Sequence, residues 1–179
     1  MCMSKTKVTT EIEKILRSEE QSLLARGLQR GLLLYQNIEA TERKELDFYA
    51  GNSTTRNLFS CLCRGIEIEI DQSSDLLFKY RRMKKTSSKY IEIYNVNTLI
   101  HLYNEKTRNP SNMPVYITDK FDMNKTFRAG KQNYIVLSFI DDDDNIPKFG
   151  FVVYDSKGLE VYRQPFDVSL FGDTVNATA

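Results

Sequence analysis

The sequence predicts an α+β fold, in which a long N-terminal amphipathic helix packs on a largely antiparallel sheet of about six strands. Two observations support this prediction. Apolar residues recur at three- and four-residue steps over residues 12–38, and short apolar or alternating runs separated by turn signals follow them. Because few helical patterns lie between these later runs, neighbouring strands should be antiparallel, with the helix covering one face of the sheet.

The composition is that of an ordinary globular protein. The chain has 179 residues, of which 41% are hydrophobic and 27% charged, so we expect a single domain over residues 1–179, with 1–9 and 174–179 as frayed tails. No apolar run approaches the roughly 20 residues of a membrane-spanning helix, and the N-terminus lacks the apolar region of a signal peptide. Three cysteines, an odd number, argue against a disulfide framework. These features predict an intracellular protein, cytoplasmic or nuclear.

The N-terminal helix has a recognisable start and an unusual interior. Thr10 and Glu13 form a capping box, which predicts that the helix begins there, and a break is expected near Ser18. Gly27 and Gly31 lie four residues apart inside the helix, and each costs about 1 kcal/mol relative to alanine. The pair either lets another backbone approach closely or loosens the helix, and the pattern leaves both alternatives open.

The remaining elements are predicted from alternation and turn chemistry. Isoleucines alternate with acidic residues over residues 66–71, which predicts a half-buried strand with one wet face. Residues 96–103 form either a short helix or a strand. Asp155 and Gly158 bound a hairpin turn, in which the aspartate bonds the turn backbone and the glycine takes a positive φ. Further strands are predicted at residues 76–80, 90–94, 115–118, 134–140, 149–154 and 159–164.

Basic residues are concentrated in the middle of the chain, although the formal net charge is only +1. Six cations fall within residues 79–90, which should form a basic hairpin tip flanked by two tyrosines. Such a tip can neutralise phosphates and offer ring faces to unstacked bases. It can also meet an anionic membrane surface, or serve only as a solvated sheet edge protected by lysines. The residues assigned to this nucleic-acid or polyanion site are Lys79, Tyr80, Arg81, Arg82, Lys84, Lys85, Lys89 and Tyr90.

An acidic run lies between two strongly apolar predicted strands and consists of Asp141, Asp142, Asp143 and Asp144. Adjacent carboxylates repel one another, so they require solvent, a cation or a basic partner. The alternating ligands and interior glycine of a calcium loop are missing, and no metal or cofactor is predicted. The run is therefore a solvated loop or a docking site for a partner. If it lies at a different end of the domain from the basic hairpin, two copies can join head to tail.

The residue types needed for catalysis are sparse. His101 is the single histidine, which excludes schemes that need two histidines, and its apolar surroundings favour a packed or surface role. Cys61 and Cys63 lack a second cysteine pair for structural zinc and are expected to be core or strand residues. Arg64 beside Cys63 gives only a faint indication of a lowered thiol pKa.

A metal-dependent nuclease is the enzyme hypothesis that the composition still allows. Glu67, Glu69 and Asp71 would share one face of the strand predicted at residues 66–71, close to the basic segment. The polar face of any amphipathic strand has the same appearance. The sequence therefore predicts a non-enzymatic binding protein that contacts nucleic acid or another polyanion through the basic hairpin. The alternative is a self-assembling coat, matrix or nucleoprotein-type protein that joins its basic hairpin to its acidic run.

Overall fold

The computed structural model describes residues 15–37, 58–85, 88–105, 113–126, 132–140 and 147–170. Within these ranges, the predicted α+β class is confirmed: an N-terminal helix precedes a six-stranded, mostly antiparallel sheet. None of the helices in these ranges is both long and apolar enough to cross a membrane. The elements are α1 (Ser18–Asn37), α2 (Leu58–Gln72), β1 (Lys79–Lys85), β2 (Ser88–Tyr94), β3 (Thr98–Asn104), α3 (Val115–Thr118), β4 (Asn133–Ile140), β5 (Lys148–Tyr154) and β6 (Glu160–Phe166), with 3₁₀ helices at Phe121–Thr126 and Val168–Leu170.

The six strands lie in the sheet in chain order, β1 to β6. All neighbouring pairs are antiparallel except β3 and β4, which are parallel. Parallel neighbours need a crossover connection, because the chain must return to the starting end of the sheet. The connection between β3 and β4 contains α3 and the 3₁₀ helix Phe121–Thr126, which pack on one face, while α1 and α2 pack on the other.

Two cores result, one on each face of the sheet. The larger core joins the two long helices to the sheet, and the smaller core joins α3 and the following 3₁₀ helix to the opposite face. The strand alternation sorts side chains between them, since successive residues of a strand point to opposite faces. The larger core includes Leu23, Leu24, Leu28, Leu62, Ile66, Ile93, Ile100, Leu102, Ile135, Leu137, Phe139 and Phe151. The smaller core includes Tyr90, Leu99, Tyr103, Tyr116, Ile117, Phe121, Tyr134, Val136, Val152 and Tyr154.

Glycines allow α1 and α2 to approach each other backbone to backbone. A Cβ placed on Gly27 would lie 2.7 Å from the Ile66 Cα, and one on Gly31 would lie 2.6 Å from the Leu62 Cα. From the opposite side, a Cβ on Gly65 would lie only 2.2 Å from the carbonyl oxygen of Gly27. The two helices are antiparallel, since later residues of α1 meet earlier residues of α2. Of the two alternatives for the glycine pair, close approach is correct, because α1 continues unbroken through both positions.

The start of α1 agrees with the predicted break near Ser18. The helix runs from Ser18, and a non-helical step at Leu16 and Arg17 precedes it. The Glu20 carboxylate accepts a hydrogen bond from the backbone N–H of Arg17 at 2.8 Å, which satisfies one of the donors at the helix start. The capping box at Thr10 lies outside the described residues, as do the two predicted tails.

The strand predicted at residues 66–71 is wrong, because these residues belong to α2. Glu67 and Glu69 are buried, whereas Ile68 and Ile70 are only half-buried, which is the reverse of an isoleucine-in, glutamate-out strand. Arg26 and Arg30 of α1 pair with Glu69, and Arg82 of β1 together with Arg64 of α2 itself pairs with Glu67. The alternating pattern indicated a strand only on the assumption that the acidic side chains face water.

Two further predicted strands, at residues 115–118 and 76–80, differ from the observed elements because a local feature outweighs the apolar pattern. Residues 115–118 form α3, not a strand, since Pro114 caps the turn and its carbonyl accepts bonds from the N–H groups of Ile117 and Thr118. The strand predicted at 76–80 begins only at Lys79, because Leu76 lies in the preceding turn and is 85% exposed.

Two predictions near β3 and β6 have clear outcomes. Residues 96–103 take the strand alternative, as β3. The hairpin between β5 and β6 is confirmed: the Asp155 carboxylate accepts bonds from the N–H groups of Lys157 and Leu159, and Gly158 has a φ of 78°.

The close helix contact predicts that Gly65→Ala destabilises the protein. Helix propensity alone would favour alanine by about 1 kcal/mol. The added methyl group must instead displace the α1 backbone, so we expect a net loss of roughly 1–3 kcal/mol in the free energy of unfolding, measured with urea. The control Gln36→Ala, at an exposed position of α1, should change it by less than about 0.5 kcal/mol. A Gly65→Ala protein as stable as the parent would contradict the contact.

Candidate polyanion-binding hairpin

The basic segment forms the hairpin of β1 and β2 at one edge of the sheet. The register runs from Lys79 opposite Tyr94 to Lys85 opposite Ser88, and the two connecting residues, 86 and 87, lie outside the described residues. The predicted cations therefore lie mostly along the edge strand itself and not at the tip. Within the described sheet β1 has one neighbouring strand, β2, so its other edge offers backbone groups without a ladder partner.

Side chains on one face of β1 bind α2. Arg82 donates to the Glu67 carboxylate through both Nε and Nη2, each at 2.8 Å. Arg64 Nη1 donates to the same carboxylate at 3.1 Å. One turn further along α2, Asp71 accepts a hydrogen bond of 3.0 Å from the Tyr80 hydroxyl. Because Glu67 is 0% exposed, its two arginines keep its burial from being prohibitively costly and hold β1 against the helix.

Arg64 is a residue of this site that sequence reasoning missed. Its guanidinium lies beside that of Arg82, since both bind Glu67. The spacing of Arg64 and Glu67, three residues apart, would have indicated the pair only if the segment had been recognised as a helix. The two arginines therefore share one buried carboxylate at the junction of α2 and β1.

Side chains on the opposite face of β1 form a second charged group. Arg81 Nε donates to the Glu92 carboxylate at 2.5 Å, and the guanidinium carbon lies 5.4 Å from the centre of the Tyr94 ring. The Arg81 side chain is nevertheless 56% exposed, whereas that of Glu92 is 1% exposed. Lys85, on the same face, forms an ion pair with Asp119 next to α3. Arg81 thus reaches the surface while one side of its guanidinium is held by a buried carboxylate.

A polar chain continues from Glu92 into the smaller core. His101 Nε2 lies 3.2 Å from the second oxygen of Glu92, and His101 Nδ1 lies 2.9 Å from the Tyr134 hydroxyl. An ionised carboxylate only accepts hydrogen bonds, so we assign the proton of the neutral ring to Nε2, which donates to Glu92. Nδ1 then accepts from Tyr134. The histidine is packed, as its apolar neighbours in the sequence indicated.

The pKa values of this chain are shifted in directions that keep Glu92 charged and His101 neutral. Burial raises the pKa of Glu92, but the hydrogen bonds and charges of His101 and Arg81 outweigh burial and lower it to about 2. Burial lowers the pKa of His101 below its ordinary 6.5, and the bond to Glu92 only partly opposes this. Burial also holds the pKa of Tyr134 well above its ordinary value. At neutral pH the group therefore consists of an ion pair, a neutral imidazole and a phenol.

The tyrosines of the hairpin differ in their accessibility. Tyr90 is 4% exposed and stacks on Tyr116, with ring centres 3.8 Å apart. The expectation that Tyr90 offers a ring face to a base is therefore wrong, because the strand alternation turns this residue into the smaller core. Tyr80 and Tyr94 are half-buried, and Tyr94 is an accessible ring that the sequence prediction did not include.

The lysines share the exposed charge of the hairpin with Arg81 and Arg82. Lys79 and Lys84 are exposed. The register places Lys84 directly opposite Lys89, an arrangement of like charges that weakens a strand pair.

The three acidic residues named for a nuclease do not converge. Asp71 contacts Tyr80 and Glu67 faces β1, whereas Glu69 faces α1, where it accepts bonds from Arg26 at 3.2 Å and Arg30 at 2.8 Å. In the described residues no group of three or more His, Cys, Asp or Glu side chains is arranged to hold a metal ion. The shared strand face on which the nuclease hypothesis rested is absent, because the segment is helical.

Cys61 and Cys63 are buried in α2 and unpaired. Burial raises the pKa of the Cys61 thiol to about 12 and that of Cys63 well above its ordinary value, with the Glu67 charge adding to the latter. Their placement in the core agrees with the sequence, but the suggestion that Arg64 lowers the pKa of Cys63 is wrong, since Arg64 is bound to Glu67.

The acidic run, Asp141–Asp144, lies outside the described residues, but the strands that bracket it are described. β1, β3 and β4 all run in one direction, so the C-terminal ends of β1 and β4 lie at the same end of the sheet. The acidic run follows β4 directly, and the hairpin connection follows β1. Because Asp141–Asp144 themselves lie outside the described residues, joining of the basic hairpin to the acidic run stays a prediction.

Comparisons with protein-family models, with curated proteins and with solved structures give no match to this chain.

The pKa shifts predict acid-sensitive stability. The lowered pKa of Glu92 contributes stability that is complete above pH 4.5 and is lost as the pH falls toward 2, a shift equivalent to about 3 kcal/mol. The lowered pKa of His101 likewise contributes stability that is lost as the pH falls below 6.5, since the unfolded histidine gains a proton first. Urea unfolding from pH 7 to pH 2 should show both losses.

Single substitutions of His101 and Glu92 show which residue causes each pH-dependent loss of the free energy of unfolding. His101→Gln should flatten the dependence just below pH 6.5, and Glu92→Gln should flatten it below pH 4.5, even though each variant is less stable overall. Parallel pH profiles for the parent and both variants would contradict the shifts.

Proposed function

We propose that this protein is a non-enzymatic nucleic-acid-binding protein that contacts the phosphate backbone through the β1–β2 hairpin. The observation that carries the proposal is the arrangement of cations on both faces of an edge strand. Lys79, Arg81 and Lys85 alternate on one face, and Arg82 and Lys84 on the other. Phosphate contacts by lysine and arginine supply most of the affinity of sequence-tolerant nucleic-acid binding.

The geometry of the edge strand supports an extended single strand as the ligand. Residues two apart on one face of an antiparallel strand lie about 7 Å from each other, a spacing at which an extended single strand can present successive phosphates. The half-buried Tyr80 and Tyr94 rings border the two faces and supply surfaces for base stacking. Among the described residues the outer edge of β1 has no ladder partner, and its backbone N–H groups add further donors.

The arginines are pre-organised because buried carboxylates hold them. Glu67 binds Arg82 and Glu92 binds Arg81, so neither guanidinium must be ordered by the ligand. Ordering a long side chain costs about 0.5–1.5 kcal/mol on binding, and this cost has already been met in folding.

Two lysines allow a test that leaves the buried ion pairs intact. Fluorescence anisotropy of a labelled single-stranded oligonucleotide should show binding that weakens steeply between 50 and 200 mM salt. Lys79→Ala/Lys84→Ala should lower the slope of log K against log salt by about 1.4, since each lost single-strand phosphate contact removes about 0.7.

The matched control is Lys148→Ala/Lys157→Ala, which removes the same charge from exposed positions outside the hairpin. It should leave the slope unchanged. Equal effects of the two double variants would show that net charge, not the hairpin, governs binding, and an absence of binding at low salt would refute the proposal.

A second candidate function, self-association, is favoured by the topology of the sheet. β1 and β4 end on the same side and are separated by three strand spacings, about 15 Å. When two copies face each other across a two-fold axis, the basic hairpin of each meets the acidic run of the other, and the contact closes on itself. This arrangement replaces the open head-to-tail chain with a dimer.

Sedimentation equilibrium tests this candidate. The average mass should rise with protein concentration to a plateau at two copies, and replacing Asp141–Asp144 by asparagine should abolish the rise. High salt should have the same effect, because the contact is electrostatic. A monomer at all concentrations, or association that the asparagine variant retains, would rule the contact out.

A further inference from the structure

Arg81 is the surface end of a chain of four polar side chains that reaches the centre of the smaller core. The chain passes from Arg81 to Glu92, then to His101 and Tyr134, with successive contacts of 2.5, 3.2 and 2.9 Å. Glu92, His101 and Tyr134 are almost fully buried, and the rings of Tyr90 and Tyr116 pack edge-on against His101. Each inner member of the chain therefore has little freedom to move.

The guanidinium of Arg81 has N–H donors that its hydrogen bond to Glu92 does not use. It carries five N–H donors, and the Nε donor binds Glu92. Within the described residues Glu92 is its one hydrogen-bond acceptor, so the four N–H donors on Nη1 and Nη2 have no protein acceptor there. With the side chain 56% exposed, these donors are within reach of an anion in solvent, and the paired N–H groups of arginine match two oxygens of a phosphate.

We infer that Arg81 is the phosphate-anchoring residue of the hairpin, with Glu92 as the positioning residue that orients its guanidinium and His101 and Tyr134 as its support. The inference deepens the proposed function and rests on it. The ligand is one phosphodiester group of the bound single strand, held by Nη1 and Nη2 of Arg81. Tyr94, which lies beneath the guanidinium, forms the wall of this site on the β2 side.

Removing the charge of Glu92 should change the affinity for an anion in opposite directions, depending on whether Glu92 acts only through its charge or also orients Arg81. If only net charge mattered, removing the negative charge of Glu92 would tighten the binding of an anion. If Glu92 orients Arg81, the same change weakens binding, because the guanidinium is released from its charged partner. Asp119 provides the comparison, since it is an exposed carboxylate that pairs with Lys85 on the same face of the hairpin.

The experiment measures the affinity of four variants for a labelled single-stranded oligonucleotide at 50 mM salt. Glu92→Gln should weaken binding several-fold, whereas Asp119→Asn should tighten it. Arg81→Lys, which keeps the charge but loses the paired donors, should weaken binding on the order of tenfold with an unchanged salt slope. Lys148→Arg, the reciprocal exchange at an exposed position outside the hairpin, should stay within about twofold. Circular dichroism at the assay temperature shows whether each variant is folded, and Arg81→Lys remains informative should Glu92→Gln unfold.

The outcomes separate this inference from the proposed function. If the parent binds and Lys79→Ala/Lys84→Ala flattens the salt slope, while Arg81→Lys binds like the parent, the anchoring role of Arg81 is overturned and the hairpin function stands. Tighter binding by Glu92→Gln, equal to that of Asp119→Asn, overturns the positioning role of Glu92. A parent protein that does not bind the oligonucleotide at low salt overturns both proposals.

Discussion

Three buried carboxylates, Glu67, Glu69 and Glu92, control how the layers of this protein fit together. A carboxylate taken out of water without a partner costs several kcal/mol, so each must meet a cation from another element. Glu69 joins α2 to the arginines of α1, Glu67 joins α2 to Arg82, and Glu92 joins Arg81 to the sheet interior. The helix pair and the edge strand therefore occupy positions at which charge and apolar packing are satisfied together, and an element displaced by one residue would lose both.

The edge strand β1 therefore carries two kinds of cationic side chain. Its arginines stabilise the fold through Glu67 and Glu92, while its exposed lysines face solvent. A substitution of either arginine by alanine removes one of the partners of a buried carboxylate, so it would change stability as well as surface charge. The lysines carry charge without such a partner in the core. The two kinds of cation therefore differ in their surroundings: Arg81 and Arg82 are held by buried carboxylates, whereas Lys79 and Lys84 extend into solvent.

The parallel pairing of β3 and β4 brings the connecting chain across the face of the sheet that carries the smaller core. Because the intervening chain crosses over that face, Tyr116 covers His101 and excludes water from the Glu92 side chain. The low polarity of this core explains why His101 stays neutral while Glu92, held by two donors, stays charged. The same crossover makes β1 and β4 run in one direction, so the C-terminal ends of these two strands lie at the same end of the sheet.

Local patterns in the sequence determined the fold class, the strands β4 and β5, the turn at Gly158 and the basic hairpin, because apolar runs, glycine conformation and clustered charge act over a few neighbouring residues. They did not determine α2. The alternation over residues 66–71 reads as a strand until Arg26, Arg30 and Arg82, from 15 to 43 residues away, allow its glutamates to face inward. The burial of Tyr90 and the role of Arg64 likewise follow from packing across the chain. Only the tertiary structure decided which charges are held and which are exposed, because the energy of a buried charge depends on partners that are distant in sequence.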